Sequence, residues 1–492
     1  MTCPKCGAEM TEGAPCPSCG YDPTEEKLTR KRPPLDLKLI GIAVAALAAL
    51  IAIVILAVNI FGGSGKNYVT SPSAFTVRFF DNTAFVVTDS GKTARQSVDT
   101  GAFARISASG KAGLIKDGNT LYYVSDGKIT KVTEDCLEYY ISRDGSTLVY
   151  AVAGDEGNDL YRYRGGNAAK IASGAAKSSV MLSPDGSAVS FRRNAEDGAT
   201  KAFIYDGQEH ELGRNRTVRG LANGAAYIYY TKEGDNGERP LYVQKKYKDD
   251  TAARLASSYT SLYFNQDLSE VLFFDGERTY YCAKGGEKQQ TFRYRPSILL
   301  PANTETEGSV LGVKTFIGCF FYNDGKVVRL NKDMTTDTVA RGLSGSGDAR
   351  LSTDGKTIVF LKEGKLRRVD GSQNDPEARE LAEDVKSFTG SRDLQNIYYV
   401  SDGEILAIKG TGKATRVAEE YDLMNVLDGR TLIYAEDELL FTSTGGKGKK
   451  VNSFESDVTS VSVYGKLALV TLKDGSVYYT TNGKDFTTLY AA

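Results

Sequence analysis

The chain of 492 residues has no tryptophan, one histidine and only 12 prolines. The single histidine, His210 in "YDGQEHELG", leaves nothing on which a histidine-based metal site or a repeated catalytic triad could be built. An excess of charge of either sign is also missing. Sixty-one lysines and arginines meet 62 aspartates and glutamates, so no basic face is evident and nucleic acid is not expected as a partner. Beyond residue 61 there is no long run of helical periodicity. No G-x-S-x-G elbow and no phosphate-binding glycine loop is present; the glycines are spread through hairpins, where turn geometry accounts for them. No catalytic constellation is visible, and the chain is not expected to be an enzyme.

Cysteine is scarce, but four of the seven fall between Cys3 and Cys19. The spacing is C-x2-C, nine residues, C-x2-C, with Gly7 and Gly20 following the two pairs where the chain must bend without a Cβ clash. Four thiolates around one ion make the closed tetrahedral zinc arrangement, which leaves no position for water. One structural Zn²⁺ is therefore expected on Cys3, Cys6, Cys16 and Cys19. Segment 1–22 has only Met10 and Tyr21 as large apolar residues. The metal must supply most of its folding free energy, on the order of 10 kcal/mol or more. Two disulfides or a redox centre are the alternatives, but redox C-x2-C pairs sit at a helix start beside a strand, and these do not. The knuckles Cys3-Pro4-Lys5-Cys6-Gly7 and Cys16-Pro17-Ser18-Cys19-Gly20 resemble those of short zinc ribbons at the N-termini of many bacterial membrane proteins.

Residues 39–61, "LIGIAVAALAALIAIVILAVNIF", carry no charge over 23 positions, long enough to cross a bilayer as a helix. Thirty-eight residues precede this stretch, so an uncleaved signal anchor is expected rather than a signal peptide. Lys27, Arg30, Lys31, Arg32 and Lys38 lie before it and only Lys66 lies close after it, which places the N-terminus in the cytoplasm. A reducing cytoplasm also keeps thiols available to zinc. Residues 23–38 read as a charged linker and 62–74 as a flexible tether.

From residue 75 to 492 the sequence reads as short strands and turns, repeated. One turn family contains "ISRDGSTLVY" (Ile141–Tyr150), "LSPDGSAVSF" (Leu182–Phe191) and "LSTDGKTIVF" (Leu351–Phe360). A second, including "YYVSDGKITKV" (Tyr122–Val132) and "LFFDGERTYY" (Leu272–Tyr281), has centres near 90, 126, 155, 197, 235, 275, 324, 363, 402, 437 and 474. The pitch, a little over 38 residues, suits four short strands and their turns, the signature of a β-propeller blade. Tyrosine doublets such as 122–123, 229–230, 280–281, 398–399 and 478–479 put adjacent rings on opposite faces of one strand. In a propeller both faces are buried. The expected fold is all-β, with about 10–11 four-stranded repeats, as one large ring or as two propellers with an internal boundary near 293–308.

The S-x-D-G turns, "SPDG" at Ser183–Gly186 above all, resemble those of TolB-type bacterial propellers. The order of ribbon, span and propeller resembles that of cell-surface proteins of Gram-positive bacteria. In TolB-type proteins such propellers dock protein partners, so the resemblance implies docking as a class of activity and points to no particular residue.

The repeated Asp144, Asp185, Asp354 and Asp393 are expected to serve turns rather than calcium, which needs more oxygen ligands than "SPDGS" offers. The acidic stretches 154–159 and 232–238 read as exposed loops. Cys136, Cys282 and Cys319 lie in or beside apolar runs, where a thiol acts as a small hydrophobe, although Cys282 and Cys319 are about one repeat apart and a disulfide between them is open. The expected protein is a single-pass cell-membrane protein with a cytoplasmic zinc ribbon. Its extracytoplasmic propeller is a binding or scaffold module for an envelope protein or a cell-wall glycan. The alternatives are an envelope hydrolase using carboxylates in the ring's channel, and a transmembrane sensor.

Overall fold

The computed structural model describes residues 1–22, 75–234, 237–300, 306–307 and 310–492. Contacts divide the chain into two compact units, Met1–Gly65 and Lys66–Ala492. The linker 23–38, the apolar stretch 39–61 and the tether 62–74 lie outside the described residues. Among those that are described, no helix is long and apolar enough to cross a membrane.

Among the described residues the second unit contains eleven sheets in chain order, antiparallel except for one parallel pairing in the sixth. The first has three described strands, Phe75–Phe80, Thr83–Thr88 and Thr93–Ser97. Eight of the others have four strands taken consecutively, the seventh has four strands interrupted by two that join the sixth, and the sixth has six. First strands of successive sheets approach one another, as inner strands of a propeller do. Each sheet is short, twisted and apolar on both faces, so it is unstable until both faces are covered.

Among the described residues eleven apolar cores supply that cover, one between each pair of neighbouring sheets. Tyr229 belongs to the core that joins the fifth sheet to the sixth, and Tyr230 to the core that joins it to the fourth. Tyr398 and Tyr399 divide in the same way between the cores on the two sides of the ninth sheet. The doublets 122–123, 280–281 and 478–479 do likewise. The eleventh core closes a single ring: Phe85 and Val87 of the first sheet pack on Leu467, Leu469, Val477 and Leu489 of the last. Polar contacts lock the same seam. Tyr490 Oη donates to Asp81 at 2.5 Å, Arg78 donates to Tyr464 Oη at 2.5 Å, and Phe80 stacks on Tyr490 with centroids 4.5 Å apart.

Stretch 293–308 does not divide the chain into two propellers. Ser297–Leu299 is the first strand of the seventh sheet, and its partner Phe320–Asn323 follows an insertion. Within the insertion Thr306–Glu307 pairs with Val310–Leu311, and Val310 pairs in parallel with Phe264 at the free edge of the sixth sheet. The sixth and seventh sheets share one core, which includes Leu272, Phe292, Phe316 and Phe321, so the ring is continuous here.

The turns of the second family all fall within a sheet, at one regular place with one exception. From the third sheet onward, the turns of the second family join the second and third strands. The turn near 126 does not: it joins the third and fourth strands of its sheet, while the turn near 90 joins Thr83–Thr88 to Thr93–Ser97 in the first sheet, and Lys92 beside it reaches across to Asp126 at 2.6 Å. In the second sheet the equivalent of the later turns is Gly118-Asn119. Asp-Gly suits either hairpin, so local sequence cannot say which of the two it closes.

Two glycines are required by geometry. A Cβ at Gly220 would lie 2.5 Å from the Phe264 ring, where two sheets meet. Gly186 has φ +63°, and a Cβ there would lie 2.3 Å from Thr147 Cβ of the neighbouring sheet. Gly186→Ala is expected to cost about 2–4 kcal/mol, from left-handed strain plus overpacking. Gly118→Ala, with φ +53° but nothing within 4 Å of the new Cβ, should cost only the strain, about 1–2 kcal/mol. Urea midpoints of the two variants check this; equal losses would remove Thr147 from the explanation.

Candidate functional site

The sequence brings four thiols into two turns, and the structure brings the two turns together. Cys3 N–H donates to Ala8 O and Gly7 N–H to Cys3 O, both at 2.8 Å. The second knuckle repeats the pattern, with Cys16 N–H to Tyr21 O and Gly20 N–H to Cys16 O at 2.8 Å. Gly7 and Gly20 take φ of +75° and +71°, as the bend requires. The Sγ atoms of Cys3, Cys6, Cys16 and Cys19 all lie within 4.8 Å of one another. Cys3 Sγ is 3.6 Å from Cys19 Sγ, and Cys6 Sγ is 3.7 Å from Cys16 Sγ. Sulfurs at Zn–S bond length from a shared ion stand about 3.8 Å apart at the corners of a tetrahedron. The donor set therefore fits a four-coordinate thiophilic ion.

Without an ion the four sulfurs pull one another's ionisation in opposite directions. The Ser18 N–H aimed at Cys16 brings its thiol down to about 7. The Ala8 N–H favours the thiolate of Cys6, but the neighbouring thiols, Cys19 foremost, and burial outweigh it and push Cys6 up to about 12. Four thiolates at this spacing repel one another unless a cation sits among them. Only Cys3, Met10 and Cys16 are buried in this module, with Ala8 and Tyr21 packed against them.

The other candidates have structural employment. In the turn at Ser183, the hydroxyl donates to Asp185 Oδ1 at 2.8 Å and accepts Ala188 N–H at 2.9 Å, while Asp185 Oδ1 accepts Ser187 N–H at 2.9 Å. The same device recurs at Ser142 with Asp144, Ser352 with Asp354, and Ser391 with Asp393, at 2.6, 2.7 and 2.6 Å. These turns also bond from sheet to sheet, as in Asp144 N–H to Pro184 O at 3.0 Å and Thr353 N–H to Arg392 O at 3.0 Å. Burial opposes ionisation of Asp393, but the Ser391 hydroxyl and Gln395 N–H hold its carboxyl below the usual range. These carboxylates are committed to turn geometry.

His210 lies on the strand Glu209–Arg214. Its ring stacks on Tyr247 with centroids 3.9 Å apart, and its Nε2 is 3.2 Å from Asp206 Oδ1. Of the acidic stretches, 154–159 is a hairpin whose Asp159 pairs with Lys170 at 2.7 Å. In 232–238, Glu233 pairs with Arg239 at 3.5 Å, and residues 235–236 lie outside the described set.

Cys282 and Cys319 do not meet. Cys282 lies in the core on one side of the sixth sheet and Cys319 in the core on its other side, so the sheet itself separates them. Both are free thiols, as is Cys136. Burial pushes Cys136 and Cys282 up to about 11 and raises Cys319 as well. After chelation, an alkylating reagent should label the N-terminal thiols in the native protein and reach these three only on unfolding; mass spectrometry of the labelled peptides reads the order.

Sequence reasoning missed the hollows on the ring's surface. One of about 260 Å³ lies among the turns that join the first and second strands of the second to sixth sheets, lined by Arg143, Asp144, Asp185 and Asp267 among others. Two more, lined by Arg192, Arg219 and Arg295, lie at the connections between sheets. Their walls come from segments far apart in sequence, and no spacing pattern marks them.

No family model matches the chain, and no curated protein matches it. Solved structures with partial likeness include the putative TolB from Agrobacterium tumefaciens, at 17% identity over 40% of this chain and 85% of that one, with a TM-score of 0.27. The GH74 enzyme of Niastella koreensis shows 10% identity over 86% of each chain, also at 0.27. PorZ, a surface component of the type-IX secretion system of Porphyromonas gingivalis, shows 12% identity over 80% of this chain and 58% of that one, at 0.27. These likenesses extend to no activity, ligand or partner.

Proposed function

We propose that this chain is a membrane-anchored binding or scaffold protein of the cell envelope. In this reading residues 39–61 cross the membrane once. The thiol module holds one structural zinc ion on the cytoplasmic side, and the ring presents a rim outside to an envelope protein or a cell-wall glycan. The observation that carries it is how the ring uses its side chains. Sheet faces go into the cores between sheets, and the repeated aspartates go into turns. What remains for function is the rims, whose connecting segments differ from sheet to sheet. Varied loops on a rigid frame are suited to recognition. Orientation is supported by the basic residues before the apolar stretch. Zinc is supported by the spacing of the four sulfurs.

Proximity labelling from intact cells, with the labelling enzyme fused after Ala492, tests this reading. Envelope proteins should dominate the labelled set, and the set should not change when the four N-terminal cysteines are replaced. Labelling confined to cytoplasmic proteins would overturn the orientation, and the envelope role with it.

A further inference from the structure

The connections leading from the last strand of one sheet to the first strand of the next lie along one rim of the ring. Between the fourth and seventh sheets this rim carries two adjoining hollows, of about 360 and 230 Å³. Arg219, on the strand Arg216–Leu221, lines both. Arg295, on the connection into the seventh sheet, lines the larger, and Arg192, on the strand Val189–Asn194, lines the smaller, so three neighbouring sheet segments bring guanidiniums together. No aspartate or glutamate is among the described residues that line either hollow.

These arginines differ from their neighbours. Arg193 pairs with Glu209 at 2.5 Å and Arg216 with Asp249 at 2.9 Å, as expected in a chain of balanced charge. Among the described residues Arg219 and Arg295 reach only hydroxyls, Thr231 Oγ1 at 3.4 Å and Tyr263 Oη at 3.2 Å. Arg192 makes no ion pair there, and its backbone N–H donates to Ser179 Oγ at 3.2 Å. Ser261 is a second, independent sign. It lines the larger hollow, is only 7% exposed, and its hydroxyl has no partner among the described residues. Buried hydroxyls are nearly always paired, so one left open beside a cationic hollow points to a missing acceptor or donor.

Guanidinium forks match carboxylate and phosphate geometry. Serine, threonine and tyrosine hydroxyls outnumber the guanidiniums in these walls, and both donate to and accept from other hydroxyls. Tyr259 and Tyr263 add faces that are apolar with a polar tip. We propose that this rim binds an anionic glycan, a hydroxylated chain bearing carboxylate or phosphate groups. The inference deepens the reading of the ring as a binding module and rests on it.

Binding of the full-length protein in detergent to polygalacturonate and to poly(glycerol phosphate) tests the proposal, with dextran, polyglutamate and inorganic phosphate as comparisons. At least one anionic polymer should bind, more weakly as salt rises. Whichever of the two binds identifies the anionic group. Arg219→Gln should weaken binding at least ten-fold at an unchanged melting temperature. Arg295→Gln, at an exposed position that a variant can occupy without refolding the core, should weaken it too. Equal binding of dextran would remove charge recognition and overturn the proposal. Equal binding of polyglutamate would make the site one for acidic peptide. Equal affinity for inorganic phosphate would reduce it to a site for a lone anion. If no polymer binds while the Ala492 fusion still labels envelope proteins, this inference falls and the binding-module reading stands.

Discussion

Full-length protein isolated from cells is expected to carry one zinc ion per chain, and Cys16→Ser is expected to remove it. The expectation rests on four sulfurs already at tetrahedral spacing and on the poverty of everything else in the module. Its buried apolar set is two of the cysteines themselves plus Met10. A cluster of that size cannot hold 22 residues against chain entropy. Chelation should therefore abolish amide protection throughout residues 1–22. Unfolding of the ring should be unaffected, because the apolar cores between its sheets include none of these residues. Elemental analysis gives the stoichiometry, and hydrogen exchange before and after chelation reads the order. Full occupancy in Cys16→Ser, or protection that survives chelation, would count against a four-thiolate site.

The second large effect concerns the seam. Deleting residues 454–492 removes the last sheet and should abolish cooperative folding of the whole ring, not of one repeat. In an open solenoid a lost terminal repeat costs one interface. Here it costs two. Phe85 and Val87 lose their partners on one side of the gap, and Ile433, Ala435 and Leu440 lose theirs on the other. Two apolar sheet faces would then meet water, and aggregation is the expected outcome. A milder lesion at the same seam, Leu467→Ala, should cost about 2–5 kcal/mol for a residue buried this fully, and leave the ring closed. Size-exclusion chromatography and limited proteolysis separate the cases. A monomeric, protease-resistant ten-sheet protein would show that closure through the last sheet is not what holds the ring.

Much of this architecture was open to reading in the sequence because its causes are local. Cys-Pro-x-Cys-Gly is a knuckle wherever it occurs, since the bend needs a glycine and the metal needs paired sulfurs. The S-x-D-G turn is equally self-contained: Ser183, Asp185 and Ala188 satisfy one another within six residues. The tyrosine doublets announced sheets covered on both faces, and each ring does lie in a different core. The pitch announced the number of repeats. Where local chemistry was ambiguous, the place of a turn stayed open: Asp126-Gly127 closes the hairpin of the third and fourth strands, whereas from the third sheet onward the same family closes that of the second and third.

What needed the tertiary structure depends on which distant surfaces meet. Whether eleven repeats make one ring or two turns on Phe85 and Val87 finding Leu467 and Leu469. Local periodicity is identical in either case. The stretch 293–308, irregular in sequence, could have been a boundary, and only the shared core of the sixth and seventh sheets makes it an insertion. Cys282 and Cys319 looked pairable at one repeat's separation until the sheet between them set them on opposite faces. The cationic rim is assembled from the strand Val189–Asn194, the strand Arg216–Leu221 and the connections before the strands Ser261–Phe264 and Ser297–Leu299. Turn chemistry and burial patterns are properties of a few consecutive residues, so the chain itself determined the knuckles, the strands and their repeat. Closure, pairing across sheets and a shared hollow are properties of residues that fold together from afar, and no window of sequence contains them.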